Sequence, residues 1–169
     1  LIPGTISLGY LEKVLCLLLR EGVPIRDMET ILETLGDHAG ALKDIDIVTE
    51  YVRQALKRTI TRRFAEANSL RVITVDPKVE DTIVASVKKS EAGSYLAMDP
   101  DLIQKIVNIT SGEIDKVKDV IPNIIILTSP IVRIYFKKLI DQFIPNITVL
   151  SYSEIDNTAQ IQAIGNIAM

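Results

Sequence analysis

The chain has 169 residues, 47% hydrophobic and 24% charged, a balance that excludes a disordered or fibrous protein. A formal net charge of -3 gives no general reason to expect a nucleic-acid partner. The single cysteine, Cys16, excludes an internal disulfide and a cysteine zinc cluster, and its place in an apolar stripe predicts a small buried hydrophobe.

The longest apolar runs, such as 14–19 and 124–127, are far too short to span a bilayer. No basic region precedes an apolar core with a small-residue cleavage site, so no signal peptide is expected. Leu1 stands where a complete protein would carry methionine, and the chain reads as a piece of a longer one.

From Ser7 onward the pattern is helical. Leu8, Leu11, Leu15 and Leu18 recur at helical spacing, with Val14 and Leu19 widening the stripe. Ser7 is placed to cap this helix and Gly22 to close it. Pro24 presets φ for the first turn of a second helix, whose stripe is Ile25, Met28, Ile31, Leu32 and Leu35. Each helix is expected to bury one face against the other. Residues 37–43, with Gly36 and Gly40 nearby, read as a connection. Asp44 then caps a long third helix over about 45–67, where Val48, Val52, Leu56, Ile60 and Phe64 repeat every four residues. Residues 1–68 are therefore expected to form an all-helical subdomain.

At Asn68-Ser69 the period changes. Residues 70–75 are β-branched and read as a strand. Asp76-Pro77 starts a helix, with Asp as cap and Pro in the first turn. Residues 88–94 read as a polar loop, and 95–98 as a short strand. Asp99-Pro100 repeats the same start, and one helix is expected to run through Gly112. The uninterrupted run 123–127 suits a strand buried on both faces. Thr128-Ser129-Pro130 leads into a helix expected to bury Ile131, Tyr135, Leu139 and Phe143. Residues 147–150 read as a strand, and 160–167 as an edge strand. Strands separated by such helices imply crossovers and a mainly parallel sheet. The expected fold is thus α plus α/β: the helical subdomain, then a small three-layer α/β subdomain over 69–169.

Few constellations carry chemistry. The third helix presents Arg53, Lys57, Arg58, Arg62 and Arg63. Such a stripe could meet nucleic acid or an acidic partner, yet few aromatic residues accompany it for base stacking. The preferred reading is a solvated, subunit-facing or partner-facing side, with Glu50 offering Arg53 a local ion pair. Ser129 lies where a strand feeds a helix N-terminus, a place that attracts anions. Without a Gly-rich phosphate loop, a capping role is preferred there over an anion site. Asp76 and Asp99 read as caps, and His38 lacks the partners that a metal centre or a nucleophile relay would need. No metal, cofactor or catalytic residue is expected.

Several stretches carry a resemblance: ISLGYLEKVL, LREGVPIRDMETILETL and TEYVRQALKR in the first part, VITVDPKVED, LAMDPDL, IILTSPIVRIYFKKLIDQFIPNITVLSYSEI and IQAIGNI in the second. They resemble the cytoplasmic domain of the FlhA/InvA/YscV (FHIPEP) family of type III secretion export-gate proteins, nearer to the flagellar than to the virulence branch. Pro24 departs from the serine that family members often carry there. The resemblance implies the third and fourth of four cytoplasmic subdomains, over 1–68 and 69–169. It implies a non-enzymatic module in a ring at the cytoplasmic face of the bacterial inner membrane. The implied partners are other copies of the protein, export chaperone–substrate complexes and components of the export ATPase complex, with no nucleic acid. A small anion- or nucleotide-binding α/β protein using Ser129 is the alternative from another class, and a basic-helix adaptor for nucleic acid a third.

Overall fold

The computed structural model describes all 169 residues and divides them into two units. The first comprises residues 1–68 together with 153–159, and the second 69–152 together with 160–169. The short segment 153–159 thus departs from a contiguous division at residue 68.

The first unit is built on four helices: α1 (Leu8–Arg20), α2 (Met28–His38), α3 (Ile45–Ala55) and α4 (Lys57–Phe64). The Ser7 hydroxyl accepts the Tyr10 N–H at 3.0 Å and starts α1 as expected. Gly22, at φ 75°, ends it. There the Val23 N–H reaches the Leu18 carbonyl at 2.9 Å and the Gly22 N–H reaches that of Leu19 at 3.0 Å, the two bonds of a Schellman motif. Val23 is thereby fully buried.

The second helix begins later than expected. Pro24 and Ile25 precede it, and Asp27 is its cap, accepting the Thr30 N–H at 3.2 Å and the Thr30 hydroxyl at 2.7 Å. The aspartate cap outweighs the preset φ of the proline. The stripe of α1 is also narrower than expected: Val14 and Leu18 are buried, while Leu8, Leu19 and Cys16 are exposed. Cys16 is therefore no core residue, because the helix turns only one narrow face inward.

The single long helix expected over 45–67 is two helices. Leu56, at φ -91° and ψ 21°, leaves the helical region, and its N–H is shared between the carbonyls of Val52 and Arg53, both at 3.0 Å. The apolar repeat nevertheless survives the break, with Val48, Val52, Leu56 and Ile60 all buried. Asp44 caps α3 through the Asp46 N–H at 3.0 Å.

Arg53 supplies the deepest polar feature of this unit. Its side chain is 2% exposed and that of its partner Glu154 is 1% exposed. The guanidinium grips the carboxylate at two points, Nε to Oε2 at 2.6 Å and Nη2 to Oε1 at 3.0 Å. Glu21 approaches Nη1 at 3.8 Å. The Thr61 hydroxyl donates to the Glu154 carbonyl at 3.3 Å and accepts the Asp156 N–H at 2.8 Å. These bonds tie 153–159 to α3 and α4.

The second unit carries a four-stranded sheet ordered β5-β4-β1-β6, with every neighbouring pair parallel. Its strands are β1 (Ser69–Val75), β4 (Ile125–Thr128), β5 (Thr148–Ser151) and β6 (Gln160–Ile167). Each residue of β4 is buried, as its continuous apolar run requires. β6 is an edge strand. Beyond a register shift opposite Val72 and Ile73, Gly165 faces Ile73, where an added Cβ would meet the Glu113 carboxylate at 2.9 Å.

Three helices cover this sheet: α5 (Pro77–Ala85), α6 (Pro100–Val117) and α7 (Pro130–Asp141). Asp76 and Asp99 cap the first two, each with proline in the first turn. α6 runs unbroken through Gly112. Two details differ from expectation. Residues read as a loop and one strand form a hairpin, β2 (Val87–Ser90) against β3 (Gly93–Leu96). And α7 buries Val132, Arg133, Tyr135, Phe136, Leu139 and Ile140, leaving Ile131 and Phe143 exposed. Arg133 is tolerated there because its Nη1 donates to the Val149 carbonyl at 3.0 Å.

Removing one member of a buried ion pair strands the other charge away from water. Arg53→Met or Glu154→Leu alone should each destabilise the protein by roughly 3–5 kcal/mol, while the double variant recovers most of that loss. Denaturant unfolding of the three variants checks this. A second outcome concerns Tyr10, whose hydroxyl is buried without a hydrogen-bond partner. Burial, and then the charge of Asp44, push its pKa up. A raised folded pKa leaves stability intact below the unfolded value near 10 and removes it as pH rises beyond. Tyr10→Phe should therefore match or exceed the parent in stability at neutral pH and lose less of it above pH ~10, by urea unfolding across that range.

Candidate functional site: a cationic ridge on the fourth helix

α4 is short and carries four cations in eight residues, Lys57, Arg58, Arg62 and Arg63. Its inward positions, Ile60 and Thr61, are buried, which turns the cations outward. Arg58 and Arg62 stand one turn apart, both exposed, and form a ridge that lines two clefts. The first, about 390 Å³, is completed by Thr61, Ala65, Asn68, Asp156 and Thr158. The second, about 560 Å³, is completed by Pro24, Arg26, Asp27, Thr59 and Arg63. Arg63 also lies over the Phe64 ring, with its guanidinium carbon 5.4 Å from the ring centre.

Two carboxylates stand in these clefts, and each is held mainly by a neighbouring hydroxyl. The Thr158 hydroxyl donates to Asp156 at 2.6 Å and lowers its pKa, with Arg58 and then Lys57 adding to the shift. Asp27 is lowered by its bonds from Thr30. Both remain ionised well into the acidic range. Neither closes an ion pair with the ridge, so Arg58 and Arg62 keep their donors turned to solvent.

The structure keeps four of the five sequence-selected cations on one exposed helix and removes the fifth. Arg53 is 1% exposed and committed to Glu154, a partner that local spacing did not suggest. It lies on α3, whose buried residues include Val52 and Arg53, while the other four cations lie on α4. At Ser129 the structure differs from both sequence readings. The serine holds the N-cap position of α7, yet its side chain makes no capping bond. Its N–H donates instead to Glu80 Oε2 at 2.7 Å. The protein's own carboxylate thus fills the place at the carboxyl end of β4 where an external anion would bind. Sequence reasoning did not find Glu154, Asp156, Thr158 or Glu80 as partners. The contacts of Glu154, Asp156 and Glu80 span 101, 95 and 49 residues, beyond the reach of any periodicity, and Thr158 enters only through its bond to Asp156.

A helical unit with a cationic ridge and a parallel α/β unit place the chain among α plus α/β proteins. More particularly, it matches the FHIPEP family over residues 1–160 and belongs to that family. It is 40% identical over 164 residues to the flagellar biosynthesis protein FlhA of Bacillus subtilis, covering 96% of this chain and 24% of that protein. Its fold is similar to that of Chlamydia pneumoniae CdsV, solved in complex with CdsO. There the TM-score is 0.85 at 35% identity, covering 97% of this chain and 48% of the other. It is also similar to the nonameric EscV cytosolic domain from the type III secretion system, with TM-score 0.79, 30% identity, and coverage of 96% and 48%. The chain therefore spans about a quarter of the curated relative's length and about half of the solved chains. No helix is long and apolar enough to cross a membrane.

The Glu80 contact has a measurable value. Glu80→Gln should destabilise the protein by about 1 kcal/mol, the scale of a lost charged cap at a helix start, as read by thermal or urea unfolding.

Proposed function

We propose that this chain is a non-catalytic assembly and docking part of a type III protein-export gate, and that its two units are the last two subdomains of that gate's cytoplasmic portion. Membership of the FHIPEP family supports the first statement. The nonameric assembly of EscV supports association of several copies in a ring, and the complex of CdsV with CdsO supports a role in holding other components. On this reading the gate lies at the cytoplasmic face of the inner membrane and also receives export chaperone–substrate complexes and ATPase-complex components.

The observation that carries the reading is the α4 ridge. Exposed arginines that close no internal ion pair do little for the stability of an isolated chain. They are suited to a surface that meets another protein, where charge sets register and the rate of encounter. Lys57, Arg58, Arg62 and Arg63 are accordingly the contact face, and Arg53 is the buried support behind it.

The test is charge reversal in the full-length protein. Arg58→Glu with Arg62→Glu should cut export severalfold while leaving unfolding stability within about 0.5 kcal/mol of the parent, as exposed substitutions do. Export at the parental rate would exclude the ridge as a working face.

A further inference from the structure

The ridge has a geometry more specific than a basic patch. Arg58 and Arg62 are four residues apart on one helix, so their origins lie about 6 Å apart along its axis. Two clefts of about 390 and 560 Å³ flank them. No aromatic ring lines either cleft, which leaves bases without a stacking platform. One carboxylate already stands in the first cleft: Asp156, fixed through its N–H to Thr61 and through its carboxylate to Thr158. It is near enough for Arg58 and Lys57 to favour its charged form, but the arginines remain available to a second acid.

We propose that the ridge takes an acidic helical segment of a partner protein, whose carboxylates one turn apart pair with Arg58 and Arg62, and that Asp156 is its built-in competitor. This rests on the reading of α4 as a docking face and adds the chemistry of what docks. Carboxylates at i and i+4 on a facing helix repeat the spacing of the two guanidiniums. Each arginine can then offer a planar pair of donors to one carboxylate. Asp156 lowers the positive potential of the cleft and so sets how acidic a segment must be to bind.

The experiment uses the full-length protein and a labelled helix-forming peptide with two glutamates one turn apart. Its glutamine counterpart and a single-stranded RNA serve as comparison ligands. Anisotropy titrations are run at low ionic strength, where exposed charges are least screened. The acidic peptide should bind and the glutamine peptide should not. Arg58→Gln with Arg62→Gln should weaken binding roughly three- to tenfold, the range expected of two exposed pairs. Asp156→Asn, which keeps an acceptor for Thr158, should tighten it. Equal binding of the two peptides, indifference to the arginine double variant, or preference for RNA each overturns the proposal. If the charge-reversal variant fails in export but the peptide behaves in one of those ways, the docking face stands and its acidic helical ligand falls.

Discussion

Arg53 and Glu154 give up their water together, and both must be satisfied by the other. In a site where the two side chains are 2% and 1% exposed, an unpaired guanidinium or carboxylate would be costly to bury. The bidentate contact removes that cost only when the residues are at hydrogen-bonding distance, so the pair fixes α3 and the segment around Glu154 to each other. Thr61 extends the hold by taking the Asp156 N–H. Because Asp156 and Thr158 form a wall of the cleft beside Arg58 and Arg62, that buried pair also sets the shape of the exposed ridge. Support and working surface lie on neighbouring helices, separated by the break at Leu56.

The same logic separates the two kinds of arginine in this chain. Arg53 and Arg133 are both essentially buried and each is held in place, Arg53 through Nε and Nη2 by a carboxylate, with Nη1 left without a hydrogen bond, and Arg133 by at least a backbone carbonyl. Arg58 and Arg62 are exposed and uncommitted. Burial turns the first two into structural elements, and solvent leaves the second two available for recognition. At the start of α7, a comparable division falls on Ser129. Its backbone position resembles an anion site, but Glu80 supplies the anion from within.

Much of the fold was legible in local chemistry. Ser7, Asp44, Asp76 and Asp99 cap helices where their side chains predicted, Gly22 takes the positive φ that ends α1, and β4 is buried as its apolar run demanded. These signals act over a few residues. The break at Leu56 has no glycine or proline to announce it, and the repeat through Val48, Val52, Leu56 and Ile60 continues across it. Cys16, Ile131 and Phe143 looked interior because periodicity defines a stripe but not its width. The candidate site was half legible: the cations of α4 stood out by composition, whereas Asp156, Thr158 and Arg26 join them only through the fold. Arg53 shows the converse, since charge in a sequence does not say whether water or a distant carboxylate will satisfy it.

The pairing of Arg53 with a residue 101 positions later also bears on how the chain is made. At a synthesis rate of about 5–20 residues per second, roughly 5–20 seconds separate the emergence of the arginine from that of its acid. During that interval the helices of the first unit can form and begin to pack, yet their most buried charge has no carboxylate at Glu154 to meet. The first unit, most of which is made before the second, is thus completed only after the strands and helices encoded between Arg53 and Glu154 have been made.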